Sequence, residues 1–443
     1  MARTADPAVR AAVIARLLGV AGGPLVLWLA STRLPVVDQG LFFVLVNLVA
    51  LGMFFELGPG ALLVQYAGHE AARLRFDSRG DLVGGPAARD AIQLILWGGF
   101  RWFGTAALVL LASAIGVGLI VITGTDTGIT WFWWTGASLL TAAYLLLVPI
   151  IAVVEGAGGV VQVQHMRSWQ AIATVTALSI GMQSGSAATA AWAGALSQLL
   201  AAAIWIAVRH RPLLRPRPTL AAVPADAAQA YVAKLRAESS RGLRLWLALQ
   251  IAPQLLTALV VRLEGGDAGG RLGLTTAIAM APYVLSAAWL QGRNPSFGRA
   301  VATGRLAEFD ALVRRSAFEA FGLFALAAAG VVGFTLALPS ILPALAARML
   351  PLIDVLLMLG CTFGLMVLQT MSGWSRAFRD ESLWPWVVMA CAAMVIGGAL
   401  AGWQGDLHGV ALGAFVGTAA GVLVAIVAFT AHRRARLATH PTS

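Results

Sequence analysis

Charge is scarce in this sequence: 12% of its 443 residues are Asp, Glu, Lys or Arg, while 59% are hydrophobic. So few ionised groups cannot cover a water-soluble surface of this size. Lysine is nearly missing, with Lys234 alone in an otherwise all-arginine basic set, a trait of genome composition. The two cysteines, Cys361 and Cys391, fall inside apolar runs where thiols behave as small hydrophobes, so neither a disulfide framework nor a redox compartment follows. The six histidines are scattered, without the i, i+4 pairing of a helical zinc site, and no glycine-rich loop with lysine is there to cradle phosphate. No metal, nucleotide or other cofactor is therefore expected. No residue is assigned a catalytic role, and the chain is read as a non-enzyme.

What the sequence does hold is apolar runs of about 20 residues, enough helix to cross a hydrocarbon core of roughly 30 Å. They recur near residues 11–31, 41–66, 102–123, 133–154, 160–183, 187–208, 245–263, 270–291, 317–338, 351–372, 384–402 and 409–431. The expected fold is thus an all-α integral membrane protein with twelve transmembrane helices. The net charge of +11 would suit nucleic acid only if the arginines shared one folded face. They lie instead between the apolar runs, so no nucleic-acid partner is expected. With both termini cytoplasmic, the tails and inner loops hold most of the 31 Lys and Arg, which fixes the orientation by the positive-inside rule. The first run, preceded by two arginines and ending Leu29-Ala30-Ser31, imitates a signal peptide. Its length and the internal Arg16 point to a retained helix.

The outer loops are short, and the longest inner loop, 209–244, separates two sets of six helices. The expected divisions are 1–208, an N-terminal six-helix lobe; 209–244, a cytoplasmic linker; and 245–443, a C-terminal six-helix lobe with a basic tail. Within the linker, Ala222 to Ser240 reads either as an amphipathic helix on the anionic inner leaflet or as a solvated connection. Arg33, Asp38 and Gly40 match Arg262, Asp267 and Gly269 in one register. Two like-oriented halves imply a pseudo-two-fold axis along the membrane normal, with a cleft between them.

An ionisable side chain at mid-bilayer costs at least about 2.5–3.5 kcal/mol, so each needs a partner, water or a neutral form. Arg16 lies roughly 10 Å into the first helix at about 1.5 Å per residue and reads either as an anion-binding group in a cleft or as a snorkelling or paired cation. Gly22-Gly23-Pro24 is a hinge or a static kink. Glu56, deep in the second helix, pairs with a buried arginine or takes up a proton during transport. The Gly58-Pro59-Gly60 break after it is a second conformational candidate. Gln250, Gln254 and Thr257 fall at i, i+4 and i+7 as one polar face, for substrate contact or interhelical hydrogen bonds. Arg262 and Arg271 stand beside Glu264 and Asp267, where local salt bridges are expected. Asp354 is expected to reach interfacial water. Gly409, Gly413, Gly417 and Gly421, at strict four-residue spacing, form a packing groove.

The stretch Leu34 to Glu70, with Phe-Glu-Leu-Gly at Phe55 to Gly58 and Gln65 and His69-Glu70 beyond, resembles the polysaccharide flippases of the multidrug/oligosaccharidyl-lipid/polysaccharide exporter superfamily, those of O-antigen type included. Glu155-Gly156, Gly266-Asp267-Ala268-Gly269, Leu272 to Thr275 and Asn294-Pro295-Ser296-Phe297-Gly298 continue the likeness in the family's order. The resemblance implies two six-helix lobes around a central cavity, in the plasma (inner) membrane of a bacterium. Alternating access there would move a lipid-linked glycan, a precursor of lipopolysaccharide or another polysaccharide, to the outer leaflet. It implies an anion-holding role for Arg16, and membrane lipids and glycan-assembly enzymes as partners. A cation-coupled drug exporter of the same superfamily is the nearest alternative. A membrane glycan polymerase or ligase, or a non-transporting scaffold, would belong to other classes.

Overall fold

The computed structural model describes residues 7–55, 60, 63–64, 66–68, 74–76, 82–122, 131–210, 213, 233, 244, 248–302, 304–378, 382–403 and 406–439. The chain separates into two compact units, Met1–Leu243 and Arg244–Ser443.

In the first unit, α1 (Pro7–Arg33) and α2 (Val36–Phe55) are followed by α3 (Pro86–Ile122), α4 (Trp131–Leu145), α5 (Val148–Val154), α6 (Val160–Met182) and α7 (Ala187–Arg209). A feature absent from the sequence reading is a small antiparallel ribbon, β1 (Leu74–Phe76) with β2 (Leu82–Gly84), in which Arg75 pairs with Val83. Small residues set the helix spacing. A side chain on Gly22 would strike Val175, which brings α1 against α6, and one on Gly136 would strike the Trp192 ring between α4 and α7. The indoles close these seams through backbone carbonyls: Trp134 Nε1 donates to Ala114 at 2.7 Å and Trp192 Nε1 to Trp133 at 2.7 Å. Those bonds keep indole N–H groups satisfied in an apolar interior. Between α5 and α6 the wide turn Glu155–Gly159 breaks regular helix at Ala157 and at Gly158, whose φ is +95°. Only glycine takes that conformation without strain.

The second unit contains a helix over 248–264 (α8), then α9 (Gly266–Ala302), α10 (Leu306–Ile341), the short α11 (Pro343–Ala346), α12 (Leu352–Ala377), α13 (Trp384–Gly402) and α14 (Leu407–Thr439). Along the contact of α13 with α14 the backbones touch. A Cβ on Gly413 would overlap the Gly397 carbonyl, one on Gly417 the Ala393 carbonyl, one on Gly421 Ala390, and one on Gly409 would lie 2.7 Å from the Ala401 carbonyl oxygen. Close approach of this kind gains dispersion where lipid gives no hydrophobic drive to helix association.

The 36 residues of α10 make a rod of roughly 54 Å at about 1.5 Å per residue, well beyond a core of about 30 Å. Its arginine-bearing start and the ends of α9, α12 and α14 supply a core of their own. There Phe297, Phe309 and Trp374 are buried, with Phe378 and Phe429 packed against them, and Phe309 meets Phe378 edge-on at 5.2 Å. Arg433 of α14 donates to Asp310 of α10 at 2.7 Å across the rim of this cluster. By contrast, Phe318, Leu326 and Leu336 along α10 are exposed, as lipid-facing positions should be. Among the described residues, seven helical runs are long and apolar enough to cross a membrane, including Trp131–Met182, Leu306–Ile341 and Leu407–Arg434.

Candidate functional site

Arg16 lies on α1 before Gly22, and the helix is continuous from Pro7 to Arg33. The placement of its side chain, and that of Pro24, falls outside the described residues, as do Glu56, Gly58 and Pro59. Gly22 is buried against α6, Gly23 faces open space, and Gly60 is buried.

The polar face of α8 is better defined. Gln250 is buried and its Nε2 donates to the Tyr283 hydroxyl of α9 at 3.3 Å. Thr257, also buried, donates to the carbonyl of Pro253 in its own helix at 3.3 Å. Gln254 is half-buried. Two of the three residues are thus engaged inside the second unit, one bonding across helices and one to its own backbone.

The charges after α8 depart from expectation. Arg271 reaches the carbonyl of Met349 at 3.4 Å, and a buried carboxylate oxygen of Glu264 has no hydrogen-bond partner among the described residues. Burial and the nearby Asp406 carboxylate push the Glu264 pKa up. The expected local salt bridges are not what these groups form, because Arg271 points toward the turn before α12. Nor does Asp354 reach water. It is 2% exposed, and its Oδ1 lies 2.6 Å from His408 Nδ1. The start of α14 brings this partner from 54 positions along the chain, which spacing could not reveal.

Besides Arg433–Asp310, two further ion-pair sites have no signal in the hydropathy pattern of the sequence. In the first unit, Glu155 at the wide turn takes both terminal nitrogens of Arg167, at 3.1 and 3.0 Å, with Gln164 Nε2 at 3.3 Å. The bidentate geometry holds the turn to α6. In the sequence Glu155 stands out only as part of the Glu155-Gly156 motif; the i, i+12 interval to Arg167 carries no helical signal because the turn interrupts the count. In the second unit, Glu319 of α10 accepts from Arg315 Nε at 2.8 Å, Trp289 Nε1 at 3.2 Å and Arg293 at 3.3 Å.

In the same unit, α9, α10 and α12 leave a small recess of about 10 Å³ lined by Leu290, Phe297, Val313, Gln369, Thr370 and Arg376. Gln369 is 2% exposed and its Oε1 has no hydrogen-bond partner among the described residues. Arg376 Nε donates to the Ser372 carbonyl at 3.3 Å, and Thr370 donates to that of Met366 at 2.9 Å. Gln369, Gly373 and Arg376, at i, i+4 and i+7, share one face of α12. A buried amide and a guanidinium line a recess with room for no more than about one water molecule. Among the described residues no cluster of His, Cys, Asp and Glu could hold a metal.

No family model matches the chain, and no curated relative does. Solved structures do. The lipid II flippase MurJ in an inward closed conformation superposes with a TM-score of 0.61 at 13% identity, covering 96% of this chain and 87% of that one. The Vibrio cholerae MATE transporter VcmN, solved as a point mutant, gives 0.60 at 15% identity, covering 97% and 98%. An inward-facing multidrug resistance MATE transporter of the MOP superfamily gives 0.57 at 13% identity, covering 92% and 95%. The chain therefore carries the fold of these membrane transporters over nearly its whole length.

Proposed function

We propose that this chain is a flippase that moves a lipid-linked oligosaccharide or polysaccharide precursor from the inner to the outer leaflet by alternating access. The observation that carries this reading is the fold shared with a lipid II flippase across 96% of the chain, joined to the flippase-like motifs of the sequence. On this reading the chain crosses the membrane twelve times in two six-helix lobes, 1–208 and 245–443, joined by 209–244, with both termini in the cytoplasm of a bacterium. Arg16 on α1 is the group assigned to the anionic linkage of the substrate. A guanidinium in a low-dielectric cleft binds such a group strongly. Gly22-Gly23-Pro24 and Gly58-Pro59-Gly60 are assigned to the bending that opens and closes the path, with Glu56, Gln250, Gln254 and Thr257 as polar groups of the transport pathway. Glycan-assembly enzymes are the expected neighbours.

A second reading, cation-coupled export of small molecules, is favoured by the near-equal superposition on the MATE transporters. Proteoliposomes separate the two. A carrier of lipid-linked glycans exchanges a fluorescent polyprenyl-linked oligosaccharide between leaflets and does not drive cationic dye against an imposed proton or sodium gradient. Dye movement without lipid exchange would select the second reading. A polymerase or ligase would lengthen or transfer the glycan in the same vesicles, and a scaffold would do neither.

A further inference from the structure

We propose that the exposed face shared by α9 and α10 around Arg314 binds the phosphodiester headgroup of an anionic phospholipid, at a site that does not depend on what the chain transports. Its frame is Glu319, whose carboxylate accepts from Arg315 Nε of the same helix and from Trp289 Nε1 and Arg293 of α9. The Arg293 guanidinium also lies over the Trp289 ring, 5.3 Å from its centre. These bonds order two arginines and an indole on neighbouring helices without exhausting the arginines, because a guanidinium carries several N–H donors and Glu319 engages one nitrogen of each. Arg314 is exposed and has no hydrogen-bond or ion-pair partner among the described residues. Three arginines against one carboxylate leave this face positive.

Depth identifies what meets it. Phe318, Leu326, Leu336 and Ile341 are the exposed apolar positions of α10, and from Phe318 to Ile341 the helix rises roughly 35 Å at about 1.5 Å per residue, enough to cross a hydrocarbon core of about 30 Å. Arg315 and Arg314 stand one turn outside that run, roughly 5–6 Å beyond Phe318. A bilayer of roughly 40–45 Å with such a core has a polar layer of about 5–7 Å on each side, so both guanidinium groups fall in the layer of the lipid phosphates. On α9, Trp289 is exposed and Arg293 follows one turn later, so the Glu319 bonds set the two helices level with each other.

A phosphodiester brings acceptor oxygens and one negative charge, which suit the donors that these arginines still offer. Trp289 and Phe318 present rings on the hydrocarbon side of the charges, where the glycerol and the first acyl methylenes of the same lipid pack, as aromatic residues do at this depth. An acidic peptide would supply the charge, but its backbone would run along the hydrocarbon boundary with polar groups unpaired. A zwitterionic headgroup sets an ammonium against a face that is already positive, whereas a glycerol headgroup leaves the phosphate charge uncompensated. In the orientation proposed above this end of the helices meets the cytoplasmic leaflet, whose anionic lipids attract basic residues.

The test is binding of a phosphatidylglycerol labelled with a fluorophore on one acyl chain to the purified full chain in non-ionic detergent micelles, read by anisotropy beside a phosphatidylcholine with the same label. The wild type is expected to prefer phosphatidylglycerol. Arg314→Gln breaks no contact among the described residues, so it leaves the fold intact; it is expected to weaken phosphatidylglycerol by about fivefold, the scale of one arginine at an anionic surface, and to leave phosphatidylcholine unchanged. Adding Arg315→Gln should deepen the loss by a similar factor. Arg209→Gln, which removes an exposed charge from α7 in the other unit, is expected to change neither lipid. Equal affinity of the wild type for the two lipids, no loss in Arg314→Gln, or an equal loss in Arg209→Gln would overturn the proposal. Displacement of the labelled lipid by free glycerol phosphate as readily as by unlabelled phosphatidylglycerol would overturn it too, by making the face a site for soluble anions. Leaflet exchange of a glycan lipid tests the carrier reading separately, and neither result decides the other.

Discussion

Asp354 and His408 are joined by a 2.6 Å hydrogen bond that ties the start of α12 to the start of α14, with the carboxylate buried and the imidazole half-exposed. The backbone N–H of His408 in turn donates to Asp406 Oδ1 at 2.9 Å. One residue thus holds the turn into α14 and satisfies a carboxylate that has left water.

Removing the imidazole strands that carboxylate. His408→Ala is expected to lower stability by about 1–3 kcal/mol, the cost of a buried group left unsatisfied, read as an earlier thermal unfolding midpoint in detergent. His408→Ala combined with Asp354→Leu should recover part of the loss. An unchanged midpoint in the single variant would show that the bond contributes nothing.

The α13–α14 contact gives a steric prediction. A methyl on Gly417 meets the Ala393 carbonyl of the neighbouring backbone, whereas one on Gly330 of α10 meets nothing within 4 Å. Gly417→Ala should destabilise by about 1–3 kcal/mol through overpacking. Gly330→Ala should be neutral or slightly stabilising, since alanine favours helix by up to about 1 kcal/mol over glycine. Equal effects at both positions would contradict backbone-to-backbone packing along this stripe.

At the wide turn, Glu155→Gln leaves Arg167 without its bidentate partner, and a loss of about 1–3 kcal/mol is expected for the broken, partly buried, hydrogen-bonded charge. Arg167→Lys should cost less but not nothing, because an ammonium cannot span both carboxylate oxygens. Hydrogen exchange over residues 155–167 is the local readout. Faster exchange there in Glu155→Gln, with α9 to α14 unaffected, is the expected pattern.

His210, just past the end of α7, is buried against Trp205. Burial first, and the adjacent Arg209 charge second, lower its pKa to about 4 from an ordinary 6.5. The unfolded chain therefore takes up this proton at higher pH than the folded chain does. Stability from this group is complete above about pH 6.5, declines as pH falls toward about 4, and is flat below that. Unfolding midpoints of the wild type should fall over that window relative to His210→Gln, measured side by side.

Length and hydropathy carry most of the helical architecture, because a bilayer leaves the backbone little choice but helix. Boundaries were less legible. The run read as 317–338 is the middle of a helix that starts at Leu306, since a hydropathy window ends where arginines begin although the backbone helix does not. The stripe of four glycines could be read directly, because a fixed interval along one helix is a sequence property. The partners of Asp354, Glu155 and Gln369 could not, because each depends on which helix lies opposite. Gln369, a lone amide in the apolar run 351–372, gave no periodic signal. Its unfilled oxygen appears only once α9 and α10 close around it.

Leaflet exchange of a fluorescent polyprenyl-linked oligosaccharide in liposomes, with wild type and Arg16→Ala in parallel, bears most directly on the proposed carrier function. The expected result is exchange by the wild type well above protein-free vesicles and at least about tenfold slower exchange in Arg16→Ala, as for loss of a charge-assisted contact of about 1.5–3 kcal/mol. Equal exchange by the two proteins would contradict the role assigned to Arg16, and exchange no faster than in protein-free vesicles would contradict the flippase itself.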